Sequence, residues 1–397
     1  MIGNPPYVQV NEQNYKEYKT AKCGDLYVYF FEKGLSLLKY QGLFSYITPN
    51  LFIKGMQYES LRNFLLSNST IIEIIDKGDG VFEDVQMPTA ITTLKKEEKE
   101  NQNWNDFLPN SELLDKICRN TVTIENISRI MRGLEIGKDK IIKNKSDIQI
   151  LSGEDIYRYG VFNYSYINSN TYETFKKDNY YFSGNRIITR ETGSRLTSIF
   201  LKDNITQQNR SLYSLKVIDE NKHSPLYILA VLNSQLIQFF YQIKYAANTN
   251  IFPKIRIGQL KEIPIKNVSL SDQQPFIDLA DKMLTLNSDL QAKRQRFLKR
   301  LSDNFTNIKI TGTLERFDEL DFKQFLVELA KQKITLSLKQ QDEWEEYFNE
   351  YQTKCRNFVN QITVTDKEID RMVYELYGLT EEEVGIIEAA NSNKKDK

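Results

Sequence analysis

Residues 25–48, DLYVYFFEKGLSLLKYQGLFSYIT, read as an apolar helix over 25–40, a glycine at position 42 and a strand at 43–48. Working outward, 57–66 reads as helix, 70–75 (TIIEII) as a buried strand and 89–94 (TAITTL) as another. Strand, helix and strand in that order predict part of a largely parallel sheet with covering helices, an α/β arrangement. The charged run KKEEKENQNWND at 95–106 then leads into a linker.

Charge divides the remainder. The 397 residues carry 53 basic and 53 acidic side chains, yet the net charge is −4 over 1–125 and +9 over 126–268, then zero over 269–319 and −5 over 320–397. A basic middle between mildly acidic ends is what a domain facing a polyanion produces. No apolar run approaches the roughly 20 residues that cross a bilayer, so no membrane association is expected. The opening MIGNPPYVQV lacks a basic and then apolar leader, so no secretory signal is expected. Cys23, Cys118 and Cys355 lie far apart without CxxC spacing, which argues against disulfides and structural zinc and for a cytoplasmic protein. A single histidine, His223, leaves little material for Ser-His or Cys-His catalysis.

The basic segment mixes short strand-like runs with Asn, Gly and Tyr, as in IENISRIMRGLEIGKDKIIK and NYYFSGNRIITRE. One apolar helix is expected at 225–243, and the segment reads as α+β. Ser271 to Gln274 fits a capping box ahead of a heptad seam at Phe276, Leu279, Met283, Leu286, Leu290 and Phe297. A second amphipathic stretch over 322–362 predicts an antiparallel helix pair. Capping boxes at Thr365 to Glu368 and Thr380 to Glu383, with Gly378 between them, predict a helix–turn–helix tail.

The sharpest motif is Asn4-Pro5-Pro6-Tyr7. Adjacent prolines remove two amide donors and leave carbonyl oxygens as acceptors. The Asn4 side-chain oxygen and the Pro5 carbonyl can each accept one N–H of an exocyclic amine while Tyr7 stacks on the ring that bears it. Followed by DLYVYFFEKGLSLL, GLFSYITPNLF, LRNFLL and VFEDVQMPTAITTL, this motif resembles the adenine-specific DNA methyltransferases of type II restriction–modification systems. RIMRGLEIGKDK, ILSGEDIYRYG, LAVLNSQLIQFFY and NIFPKIRIGQLKEIPI are similar to that group's C-terminal target-recognition (specificity) domain, and IDRMVYELYGLTEEEV to its usual ending.

The resemblance implies an α/β partial methyltransferase (Rossmann-like) domain over 1–100 and a linker over 101–125. An α+β target-recognition domain over 126–268, a long-helix region over 269–363 and a helix–turn–helix tail with a disordered end over 364–397 follow. It implies methyl transfer from S-adenosylmethionine to the amine of an adenine flipped out of double-stranded DNA. Asn4, Pro5, Pro6 and Tyr7 match the catalytic loop, and Phe82 the aromatic residue beside the target base. Candidate DNA contacts are Arg129, Arg132, Lys138 and Lys140 around RGLEIGKD, Arg186, Arg190 and Arg195 in NRIITRETGSR, and Lys254 and Arg256 in FPKIR.

The group's cofactor site, a Gly-rich strand-to-helix turn with an acidic residue for the ribose, precedes NPPY and is missing from this sequence. The chain is therefore expected to be inactive alone, with the missing N-terminal half or a restriction subunit as partner. The alternative is a non-catalytic DNA specificity module. A nuclease reading from Asp84 and Glu97-Glu98-Lys99 fits less well, because KKEEKE reads more simply as a solvated run.

Overall fold

A computed structural model of the chain describes every residue except 79–80, 83–86, 98–101, 109, 194, 246–253 and 393–397. Two compact units result. One holds Met1–Thr121, Ile237–Lys254 and Thr380–Lys397, and the other Val122–Leu236 and Ile255–Leu379.

In the first unit β1 (Ile2–Gly3), β2 (Leu43–Pro49), β3 (Thr70–Gly78) and β4 (Thr89–Lys95) form one sheet in the order β1-β2-β4-β3. β1 runs parallel to β2, whereas β4 is antiparallel to both of its neighbours. Three of the four strands thus run in one direction, as a largely parallel sheet requires, and β4 alone is reversed. A parallel return needs a crossover of about a dozen residues or more. Only residues 79–88 separate β3 from β4, so β4 comes back antiparallel and enters between β2 and β3. Helix α1 (Leu26–Leu37) buries Tyr27, Val28, Phe31 and Leu35, and α2 (Glu59–Asn68) buries Leu61 and Leu65, as helical periodicity requires.

The stretch 101–125, read as a linker, carries a 3-10 turn at Trp104–Phe107 and helix α3 (Ser111–Cys118). Trp104 donates its indole N–H to the Ile53 carbonyl at 2.9 Å, and Leu113, Leu114 and Ile117 are buried. Flanking polar residues conceal that apolar triad in the sequence. The C-terminal helix, Glu381–Ser392, belongs to this unit too. Its Glu383 accepts from Lys116 on α3 at 2.6 Å, and Ile387 is buried.

The second unit contains β5 (Ser128–Arg132), β6 (Ile148–Leu151), β7 (Ser165–Ile167), β8 (Arg186–Arg190), β9 (Ser198–Leu201), β10 (Gln207–Gln208) and β11 (Leu212–Val217). These form an antiparallel sheet ordered β9-β8-β11-β5 and a smaller one ordered β7-β6-β10. Helix α4 (Pro225–Asn233), almost wholly buried, packs against β9 and β8. The single apolar helix expected at 225–243 is in fact two helices bent by 63°, the second being Gln235–Tyr245. The break has a polar cause. The Asn233 side chain exchanges two hydrogen bonds with the Ser198 backbone on β9, and the Gln235 N–H is taken by the Asp370 carboxylate at 2.8 Å. No single helix among the described residues is long and apolar enough to cross a membrane.

Helices α5 (Leu270–Asn304) and α6 (Leu338–Leu376) supply the long-helix region. The α5 cap is Ser269, bonded to the Asp272 N–H, rather than the expected Ser271. Phe276, Met283, Leu286, Leu290 and Phe297 on its seam are buried. Phe305 meets Trp344 while Phe297, two turns earlier, meets Tyr351, so α5 and α6 run antiparallel. The expected cap at Thr365 does not form: α6 continues unbroken through it, and Thr365 is buried. The chain turns at Gly378, whose φ of +70° suits glycine, with the Leu379 N–H on the Tyr374 carbonyl. Thr380 and Glu383 then cap the last helix reciprocally.

Asp370 also gives a pH prediction. Arg158 grips both oxygens of Asp366 at 2.9 and 2.6 Å beside it. Burial first, and then the Asp366 charge, push the Asp370 carboxyl up to about 7, against the pull of the Gln235 N–H and Arg158. The unfolded chain ionises this group near 4, so stability is lost as pH rises from about 4 to about 7. Asp370→Asn keeps an acceptor for the Gln235 N–H without the buried charge. Its stability relative to the parent is expected to improve by roughly 2–3 kcal/mol between pH 5 and pH 8 in urea unfolding. A pH-independent difference would contradict this.

Candidate functional site

The loop at the carboxyl end of β1 holds Asn4 to Tyr7. Carboxyl ends of strands are where open α/β sheets bind ligands. Pro5 is buried and anchors the loop, Asn4 and Pro6 are exposed, and Tyr7 is half-buried. The Tyr7 hydroxyl donates to the Ile47 carbonyl on β2 at 3.1 Å, and burial raises its pKa. Phe82 stands edge-on to the Tyr7 ring, centroids 6.4 Å apart and planes at 65°. The sequence-expected catalytic loop and Phe82 are therefore brought together. Asn4 makes no side-chain hydrogen bond among the described residues.

Further residues hold this loop, and the sequence reading missed them. The Leu26 N–H bonds the Val8 carbonyl and the Val10 N–H bonds Gly24, both at 2.9 Å, pinning the chain beyond Tyr7 against the start of α1. Asp25 stands at that junction and its carboxylate accepts from the Tyr58 hydroxyl at 2.5 Å, while burial raises its pKa. Asn50 joins Asp76 by its side chain at 2.8 Å and the Pro88 carbonyl by its N–H at 2.9 Å, clasping both ends of the segment that carries Phe82. These links span up to 38 residues, so no local pattern announces them.

S-adenosylmethionine needs a backbone cradle for its nucleoside and an acidic partner for its ribose. In the first unit no described glycine stands on a turn leading directly from a strand into a helix: Gly42 precedes β2 and Gly78 closes β3. The residues present fit an amine and do not fit the nucleoside.

The expected DNA contacts separate into three groups. Arg186 is fully buried and donates to the carbonyls of Gly184, Asp203 and Thr206, so it is a structural bolt and not a surface contact. Arg132 donates from its Nη2 to both oxygens of Glu191 at 2.9 and 3.0 Å and from its Nε to the Arg210 carbonyl, which likewise commits it to the fold. Arg190 donates to the Ile156 carbonyl, and Arg195 is half-buried. Arg129, Lys138, Lys140, Lys254 and Arg256 are exposed; Lys140 lies 4.8 Å over the Phe175 ring. Lys254 falls in the first unit and Arg256 in the second.

Lys138 and Arg190 share a cleft of about 400 Å³ with Lys143 and Arg210, two cations the sequence reading did not single out. Gly133 permits it. A Cβ there would lie 2.2 Å from the Asn209 carbonyl oxygen, so only glycine lets Leu134 bond Gln208 at 2.7 Å and Arg210 at 2.8 Å. Lys143 faces Asp155 at 3.4 Å and Glu154 at 3.7 Å. The nuclease reading is not supported by any grouping of metal-ligating side chains among the described residues; Asp84, Glu98 and Lys99 lie outside them.

Residues 1–82 match the family model described as Eco57I restriction-modification methylase, and residues 148–265 match the TaqI-like C-terminal specificity domain. Two stretches of the chain are thus similar to the methylase and specificity modules of restriction–modification proteins. Residues 269–373, most of α5 and α6, match a domain of unknown function. A putative type II restriction enzyme and methyltransferase of Methanocaldococcus jannaschii is 24% identical over 366 residues, covering 77% of this chain and 30% of that protein. A type II methyltransferase of Aneurinibacillus aneurinilyticus, M.BanIII, is 36% identical over 86 residues, covering 20% of this chain and 15% of its own length. The chain thus spans less than a third of either relative. In fold it is similar to the type IIL restriction-modification enzyme MmeI, solved in complex with DNA. The TM-score is 0.51 at 10% identity, over 97% of this chain and 55% of that one.

Proposed function

We propose that this chain supplies the target-amine loop and the DNA-specificity domain of an adenine-specific DNA methyltransferase in a restriction–modification system. In that reaction S-adenosylmethionine donates the methyl group. The observation that carries the reading is the exposed Asn4 amide beside the Tyr7–Phe82 ring pair at the carboxyl end of β1. The Asn4 and Pro5 oxygens accept the two N–H groups of a flipped adenine, and the rings flank its face. Holding the amine through both hydrogens draws its lone pair out of conjugation with the ring, so nucleophilicity comes from positioning and not from a strong base. The basic segment 126–268 grips the duplex.

A second reading, a DNA-specificity module without turnover of its own, is favoured by the misfit between the residues present and the cofactor's nucleoside. Calorimetric titration of S-adenosylmethionine into the 397-residue chain separates the two. No binding at micromolar concentrations is expected, with the cofactor contributed by polypeptide outside these residues. Saturable micromolar binding would show that the cradle is here after all.

A further inference from the structure

The cleft between Gly153 and Arg210 carries chemistry beyond the general basicity of the segment. Its walls come from four separate stretches: Lys138 and Lys143, Ser152 to Glu154, Arg190, and Asn209 to Ser211. Four cations face one carboxylate, Glu154, whose charge is already met in part by Lys143. The remaining polar lining is rich in donors, including the hydroxyls of Ser152 and Ser211. The Ser211 hydroxyl accepts from the Gly153 N–H at 2.8 Å, which orients it with its own proton available.

The cations differ in what they are free to do. Arg132 and Arg186 spend their guanidinium groups on the fold, as described. Arg210 is exposed, and among the described residues its hydrogen bonds are made by its backbone: its N–H to Asn209 and Leu134, its carbonyl to Arg132. Lys138 is also exposed, with no ion pair among the described residues. Two uncommitted positive charges at the rim of a donor-lined cleft select a compact anion with several acceptor oxygens.

Resting on the DNA reading above, we infer that this cleft seats a phosphodiester group of the bound duplex, with Arg210 and Lys138 as its principal contacts. The contact sets the register of the DNA on the specificity domain and reads no base itself. Lysine acts as a point charge, which suits a phosphate better than the planar edge of a base. Neither side chain supports the fold, so both can be removed without unfolding the unit.

The test uses the full chain and a mixed-sequence duplex followed by fluorescence anisotropy between about 50 and 200 mM salt. The Lys138→Ala, Arg210→Ala double variant is expected to bind at least about tenfold more weakly at low salt, equally for unrelated sequences. Its slope of log affinity against log salt should be shallower by about one, for the single phosphate charge that the cleft no longer neutralises. Arg210→Lys should retain affinity within about threefold, because a phosphate needs charge more than a fork. An unchanged affinity and slope in the double variant overturns the cleft assignment while leaving the DNA reading intact. A loss in Arg210→Lys as large as in Arg210→Ala, confined to one sequence, overturns it in favour of base reading. Absence of any duplex binding by the parent chain overturns both.

Discussion

Asn4→Ala is expected to lower methyl transfer by the complete enzyme at least about a hundred-fold, with duplex affinity within twofold of the parent. The side chain is exposed and makes no hydrogen bond to the rest of the chain among the described residues, so its removal costs the fold nothing. On the proposed reading it removes one of the two acceptors that hold the amine, where nucleophilicity comes from positioning and not from a general base. The loss should therefore fall on kcat, not on thermal stability. Tyr7→Phe provides the contrast. It keeps the stacking face and discards the hydroxyl that ties the loop to Ile47, so a smaller loss of turnover with a measurable loss of stability is expected. Unchanged turnover in Asn4→Ala would remove Asn4 from the reaction.

Arg186→Ala carries the largest expected effect on stability, about 3–5 kcal/mol, or a fall of roughly 10 °C or more in the transition of the second unit. Its guanidinium is buried at the end of β8 and satisfies the carbonyls of Gly184, Asp203 and Thr206, which close the connections into β8 and β10. Burial pulls its pKa down, with the Asp203 carboxylate opposing. Truncation takes the donor from the Gly184 carbonyl and one of two donors from the Asp203 and Thr206 carbonyls, which keep the Gly184 N–H and the Gln208 amide, a cost that side-chain volume alone cannot recover. Arg186→Met should accordingly be nearly as unstable as Arg186→Ala. A Met variant as stable as the parent, by calorimetry or urea unfolding, would show that the arginine contributes only its hydrocarbon stem.

The candidate loop at Asn4 to Tyr7 was legible in the sequence because its pattern is local: four consecutive residues offer two acceptors and a ring. The helix periods of α1 and α5 were legible for the same reason. Pairing was not. Whether β4 runs with or against its neighbours depends on the length of one connection and on where the strand inserts, which apolar runs do not encode. The two Thr-x-x-Glu patterns make the point within one helix pair. At Thr380 the chain has already turned at Gly378 and the cap forms, whereas nothing stops α6 ahead of Thr365, and packing carries the helix through. The arginines were the least legible. Arg186 and Arg210 are alike as letters, yet one is buried among carbonyls brought from 17 to 20 residues away and the other stands at the rim of a cleft assembled from four segments.

The account turns on an adenine amine being held by Asn4 and Pro5, so the base that becomes methylated is the decisive observable. Nucleoside mass spectrometry of DNA incubated with S-adenosylmethionine and the complete enzyme that contains this chain should yield N6-methyladenine, and the Asn4→Ala enzyme none above background. Methylated cytosine instead, or the same adenine signal from both enzymes, would contradict it.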